Sequence, residues 1–221
     1  MNQPAPQQQT SLPLHPLEPS GDLTQSSDQN AKAESRRYGV RDAAFQAAAQ
    51  GGGENYFSAF ALFLHASPFH IGILSALPQL VGVVAQLLSV KLLQYLRMPA
   101  QLLIGGGWAQ ALCWLPILSL PLLLPEHGPW LLIGCAMLYF AFGHATAPVW
   151  NSLLVDVVET SSRGAYFAQR ARVTALTSFV ALGIAGTVLT LGQKWELSWI
   201  GFLFIFLGAA AARVGATRCQ T

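Results

Sequence analysis

The residue with the clearest potential for chemistry is Glu54, an acid in the glycine-rich sequence Gly51–Tyr56 within an otherwise apolar stretch. An ionised acid near the centre of a membrane span costs about 3 kcal/mol on insertion scales, so it needs supporting neighbours or a wet cavity. Two interpretations remain open. Glu54 is either a neutral acid at a helix break, hydrogen-bonded to Gln or Asn, or a carboxyl that exchanges a proton or binds a substrate.

Other polar residues stand alone in apolar stretches and are candidates for the wall of the same cavity. His144 lies in Gly143–Pro148, where it either titrates or donates to a substrate, or is satisfied by a backbone carbonyl. Gln79 shares a helix face with Gln86, seven residues later, and could equally serve hydrogen bonds between helices. The predicted substrate-cavity residues are Asn55, Tyr56, Gln79, His144 and Asn151.

The polar segment from residue 156 to 172 concentrates charges of both signs. One interpretation is an ion-pair cluster that joins two neighbouring membrane spans and breaks when the cavity opens, which would make it a cytoplasmic gate. The alternative is an ordinary solvated loop, in which exposed ion pairs contribute about 0–1 kcal/mol. The candidate gate residues are Asp156, Glu159, Arg163, Arg170 and Arg172.

Several other functions are not expected. The three cysteines are far apart in the sequence, so neither a metal site nor a disulfide framework is predicted, and no cofactor is expected. The net charge of +2 comes without a basic stripe, which argues against a nucleic-acid partner. Because no nucleophile turn, His-Glu-x-x-His motif or pair of aspartates occurs within the spans, an enzyme is not predicted.

The elements that must position these residues are membrane spans. Only 10% of the 221 residues are charged and 52% are apolar, and nine of the charges lie in the first 42 residues. A disordered tail is predicted for residues 1–40 and a six-span bundle for residues 41–213, followed by a short, truncated end at 214–221. The predicted spans are residues 43–66, 71–93, 101–124, 129–153, 172–191 and 197–213.

The basic residues predict the orientation of these spans. With the N-terminus in the cytoplasm, every Lys and Arg except Lys194 falls in the tail, at a cytoplasmic span end or in a cytoplasmic loop. An even number of spans places both termini on that side. We therefore expect a multi-pass protein of the cytoplasmic (inner) membrane with both termini in the cytoplasm.

The region around the fourth and fifth spans carries a family resemblance. Trp150–Glu159 (WNSLLVDVVE) and Arg163–Arg170 (RGAYFAQR) resemble the cytoplasmic turn between helices four and five of bacterial major facilitator superfamily transporters. The resemblance covers residues 41–213. It departs from the family in the loop between the second and third spans, where residues 89–97 have basic residues but lack the acidic one, so a gate built on that acid is in doubt.

The resemblance implies an all-α fold, the N-terminal six-helix half of such a transporter, made of two inverted three-helix repeats. It also implies a secondary active transporter that moves a small solute by alternating access. The buried acid Glu54 is the predicted proton-coupling site of such a transporter. A second six-helix half is expected as partner, in the same chain or in a homodimer. The alternative is a six-span assembly or regulatory subunit that carries no solute.

The fifth span presents small side chains along one face, among them Ser178, Ala181, Ala185 and Gly186. Small residues allow close packing between membrane helices. The resemblance implies that this face meets the second half of the transporter.

Overall fold

The computed structural model describes residues 20–93, 99–123, 127–158 and 162–220, and no strand occurs in this part of the chain. A 3₁₀ turn at Glu54–Tyr56 joins the first two α-helices. The α-helices are α1 (Ser20–Gly52), α2 (Phe57–Phe63), α3 (Pro68–Leu93), α4 (Pro99–Leu112), α5 (Trp114–Leu123), α6 (Gly128–Val157), α7 (Arg163–Lys194) and α8 (Ser198–Cys219). The prediction of an all-α protein is confirmed.

Five helical stretches among the described residues are long and apolar enough to cross a membrane. They are Pro68–Lys91, Gln101–Leu122, Gly128–Leu153, Arg163–Lys194 and Ser198–Cys219. They coincide with the second to sixth predicted spans, and the second of them, Gln101–Leu122, is formed by α4 and α5, which meet at Cys113. Apolar helices of this number and length indicate a membrane protein.

The first predicted span, residues 43–66, is not one continuous helix. α1 ends at Gly52, the 3₁₀ turn follows Gly53, and α2 covers only the seven residues Phe57–Phe63. Consecutive glycines weaken an α-helix because they lose the most backbone freedom on folding, and the break falls at the glycines where the sequence predicted that it could. The described residues therefore hold five candidate spans instead of the six predicted.

Three predicted boundaries differ from the structure, and one of them is the start of the fifth span, because α7 begins at Arg163 instead of residue 172. α1 begins at Ser20, so residues 20–40, predicted as part of a disordered tail, are helical. α8 ends at Cys219 instead of 213, so most of the predicted C-terminal end is also helical. In both regions alanine and arginine favour a helix, and no proline interrupts it. Residues 1–19 lie outside the described part of the chain.

The helices pack in a regular pattern around an aromatic core. α3 lies along α6, α1 lies along α7 and α8, and α4 contacts both α6 and α8. Trp114 and Tyr139 are fully buried with ring centroids 5.2 Å apart, and Phe57 and Phe206 pack against Trp114. This core lies directly beside the 3₁₀ turn and so fixes the position of the helix break.

The small-residue face of α7 packs against α1. Gly51 of α1 is so close to Ser178 that an added Cβ would overlap the carbonyl oxygen of Ser178, and Gly52 faces Ala181. The part of this face at Ser178 and Ala181 is therefore covered by α1 instead of a second half, whereas Ala175 and Gly183 of the same face are exposed. The glycines of α1 allow this close packing, because without side chains they let the backbones of α1 and α7 approach within the same bundle.

Candidate functional site

A polar cavity of about 370 Å³ lies among the helices, with walls from α1, α3, α4, α6, α7, α8 and the 3₁₀ turn. Its polar lining residues are Gln46, Gln50, Glu54, Gln79, Gln110, His144, Arg170, Thr174 and Arg213. Polar groups are costly inside a membrane bundle and usually mark a functional pathway. The cavity is therefore the candidate functional site.

Glu54 reaches the cavity from the 3₁₀ turn and is held by one strong hydrogen bond. The hydroxyl of Tyr139 on α6 donates to Oε1 of Glu54 over 2.6 Å. Tyr139 is 0% exposed and its ring packs against Trp114. The predicted hydrogen bond to Gln or Asn is thus replaced by one to a buried tyrosine, which fixes the carboxyl group at the cavity wall.

Arg213 brings a buried positive charge to the same cavity. Its side chain is 7% exposed, and Nη2 donates to Oε1 of Gln110 on α4. Its Nε has no hydrogen-bond partner among the described residues. The sequence placed Arg213 at the end of the sixth span, but α8 continues for six residues beyond it, about 9 Å of helix. The guanidinium group consequently lies inside the bundle.

Asp42 is the centre of a second polar cluster, next to the cavity. Its carboxylate accepts hydrogen bonds from Nε2 of Gln46 over 2.7 Å and of Gln220 over 2.8 Å. Nη2 of Arg170 lies 3.7 Å from the same carboxylate. Burial raises the pKa of Asp42, against the opposing effects of these hydrogen bonds and of the charges on Arg170 and Arg213. The cluster connects α1, α7 and the end of α8.

Of the candidate gate residues, the structure describes the side chains of the three arginines alone, so the predicted ion-pair cluster stays a prediction. Arg170 pairs with Asp42 of α1, which the sequence did not propose. Nη2 of Arg163 donates to the carbonyl of Val158 over 3.4 Å, and Arg172 is exposed. The side chain of Asp156 and the whole of Glu159 lie outside the described residues.

The structure brings Glu54 and two of the five predicted substrate-cavity residues together and separates the other three. Glu54, Gln79 and His144 line the one cavity. His144 packs so closely on α3 that a Cβ at Gly82 would lie 2.8 Å from its ring.

The other three predicted residues do not line the cavity. Asn55 is exposed, and the hydroxyl of Tyr56 donates to the carbonyl of Leu182 on α7 over 2.7 Å. A 3₁₀ helix turns about 120° per residue, so residues that follow Glu54 face other directions. Asn151 is also exposed, two helical turns beyond His144.

The sequence contained a signal for the missed cavity residues of α1. Asp42, Gln46, Gln50 and Glu54 recur every fourth residue and so share one helix face. Such a polar stripe in the alanine- and glycine-rich stretch 43–53 predicts a common polar environment. No such periodic pattern marks the other missed residues, because each comes from a different helix. They are Gln110, Thr174 and Arg213.

No group of three His, Cys, Asp or Glu side chains among the described residues is placed to hold a metal ion. Comparisons with known proteins give no match: no protein-family model, no curated protein and no solved structure matches the chain.

Proposed function

We propose that this chain is a secondary active transporter, or one half of one, that moves a small solute across the cytoplasmic membrane by alternating access with a proton as the coupling ion. The observation that carries the proposal is the polar cavity at the break between α1 and α2, where Glu54 meets polar groups of five other helices. Interrupted spans at a cavity are typical of transporter binding sites. Glu54 is the proposed proton site.

The contacts between helices support a bundle of two inverted three-helix repeats. In this proposal the first repeat is α1–α2, α3 and α4–α5, and the second is α6, α7 and α8. In the two repeats α1–α2 corresponds to α6, α3 to α7, and α4–α5 to α8. The contact of α3 with α6 is then equivalent to the contact of α7 with α1. The contact of α1 with α8 is likewise equivalent to the contact of α6 with α4. All four contacts occur, which is the pattern expected of the half bundle of a major facilitator superfamily transporter.

The exposure of cavity residues supports a second six-helix half as partner. Gln50 and Gln79 line the cavity and are also exposed on the surface of the bundle. Lipid cannot satisfy their amide groups, so a protein surface or water must cover them. A second half, in a longer chain or in a homodimer, would close the cavity on this side. Both termini would be cytoplasmic, as the distribution of basic residues indicates.

The proposal is tested with the full chain in lipid vesicles that contain a pH-sensitive dye. Sugars, amino acids, organic acids and organic cations are added one at a time, and a transported solute should change the pH of the lumen. Glu54→Gln should lower the proton flux at least tenfold because the amide cannot release a proton. Glu196→Gln, which changes an exposed acid in the turn between α7 and α8, should leave the flux unchanged.

Two results would contradict the proposal. Normal proton-coupled flux in the Glu54→Gln variant would exclude Glu54 as the proton site. No solute-dependent flux in wild-type vesicles, for any compound of the series, would favour the alternative of a non-transporting assembly or regulatory subunit.

A further inference from the structure

We propose that the cavity binds a small organic anion and that Arg213 is its principal binding residue. The inference rests on the proposed function, since it names the class of solute that the same cavity would take. Its basis is the charge balance of the cavity wall.

The buried guanidinium group of Arg213 is positively charged. Among the described residues, no acidic side chain forms a hydrogen bond or ion pair with it. In the part of the chain that the structure describes, the side chain of Arg213 donates to the neutral amide of Gln110, and its Nε has no partner. A guanidinium group always carries its charge in a protein, and an unpaired buried charge is costly. A negatively charged ligand would supply the missing partner.

The two nearby acids are already engaged by other groups. Glu54 accepts a hydrogen bond from Tyr139 at 2.6 Å. Asp42 accepts bonds from Gln46 and Gln220 and lies 3.7 Å from Arg170. Within the described part of the chain neither acid forms an ion pair with Arg213, so the charge of Arg213 has no acidic partner at bonding distance.

Arg170 adds a second positive group to the cavity from the neighbouring helix α7. It pairs with Asp42 over 3.7 Å, but that carboxylate also accepts hydrogen bonds from Gln46 and Gln220, and Nε of Arg170 has no partner among the described residues. Guanidinium groups present parallel N–H donors that match carboxylate and phosphate oxygens. Two such groups at one cavity favour an anion and repel a cation.

The other residues that line the cavity indicate which further chemical groups the solute carries. Gln50, Gln79 and Thr174 offer both donors and acceptors, whereas Phe140 is the large apolar side chain of the wall. A cavity of about 370 Å³ is at the small end of ligand sites. The favoured solute is therefore small and carries a carboxylate or phosphate group together with other hydrogen-bonding groups.

The binding test uses the full chain purified in detergent, with thermal stability as the readout. The probes are succinate, inorganic phosphate, glucose and choline, each at 10 mM. Sodium chloride keeps the ionic strength constant. A ligand at roughly a hundredfold excess over a Kd of about 0.1 mM stabilises the folded protein by about 2.7 kcal/mol. Succinate or phosphate should raise the melting temperature, whereas glucose and choline should not. The stronger of the two anions identifies the carboxylate or the phosphate as the recognised group. Stabilisation by choline or glucose alone would overturn the inference, as would no stabilisation by either anion.

Variants of two arginines in α8 test whether the stabilising anion binds at Arg213. Arg213→Gln should abolish anion stabilisation, and Arg213→Lys should weaken the apparent affinity at least tenfold because lysine lacks the planar fork. Arg218→Gln, an exposed arginine on the same helix, should retain wild-type binding. Equal anion stabilisation in folded Arg213→Gln protein would overturn the role of Arg213. If the variants do not fold, the comparison of anionic with neutral and cationic probes on the wild type still decides the class of solute.

The inference and the proposed function fail in different ways. Anion stabilisation without solute-dependent proton flux in vesicles would keep the anion site and contradict transport. Proton flux with a neutral or cationic solute only would keep transport and overturn the anion site.

Discussion

Replacement of Gly51 by alanine should destabilise the bundle because it forces α1 away from α7. The added Cβ would overlap the carbonyl oxygen of Ser178 and lie 2.9 Å from its Cα and carbonyl carbon. These are backbone atoms, so no side chain can rotate to make room. An ordinary contact between non-bonded carbon atoms needs about 3.5 Å, so the two helices must separate by roughly 1 Å at this point.

The loss of stability caused by the added Cβ at Gly51 is estimated by comparison with a glycine of α7 that has free space around it. Gly183 of α7 has no atom within 4 Å of an added Cβ. Gly→Ala within a helix gains about 1 kcal/mol from backbone propensity, and this gain applies to both positions. The steric cost applies to Gly51 alone and is about 1–3 kcal/mol for overpacking. Gly51→Ala should therefore be about 1–3 kcal/mol less stable than Gly183→Ala.

The measurement is unfolding of the purified protein in mixed micelles by increasing SDS, followed by tryptophan fluorescence. Both variants are compared with the wild type under the same conditions. A Gly51→Ala protein as stable as Gly183→Ala would refute the close approach of α1 and α7, and with it the explanation given for the small-residue face of α7.

Two further predictions concern the polar clusters and use the same unfolding assay. Tyr139→Phe removes the hydroxyl bonded to Glu54 and should cost about 1–2 kcal/mol, and an unchanged stability would show that this bond does not hold the helix break. Asp42→Ala leaves Gln46, Gln220 and Arg170 without their common acceptor and should cost about 3 kcal/mol, whereas Asp42→Asn keeps one acceptor oxygen and should cost less. Equal losses in both Asp42 variants would contradict the proposed role of the carboxylate oxygens.

The sequence predicts most of the helices because composition alone determines them. Long apolar stretches separated by short polar breaks can hardly adopt another structure, since a bilayer leaves no partner for unpaired backbone groups. Gly51–Gly53 likewise predicts the break that separates α1 from α2. These features depend on residues that are neighbours in the chain.

The cavity was predicted only in part because its geometry depends on helices far apart in the chain. Glu54, Gln79 and His144 were found because each is polar in an apolar stretch. Arg213 was missed because a basic residue near the end of a span normally marks the membrane boundary, and the alanines and glycine on either side of it give no sign that α8 continues. Asn55 was misplaced because the turn after Gly53 is 3₁₀, which changes the direction of every following side chain.

The contacts of α1 have a consequence for the order in which the protein is assembled. Its main packing partners are α7 and α8, which are synthesised well after it. Gln220, whose amide bonds to Asp42, is 178 residues further along the chain, and Leu182, which bonds to Tyr56, is 126 residues after it. The segment with the broken helix and the polar stripe therefore leaves the ribosome more than a hundred residues before these partners. Until then the insertion machinery or a chaperone must shield its polar face from lipid.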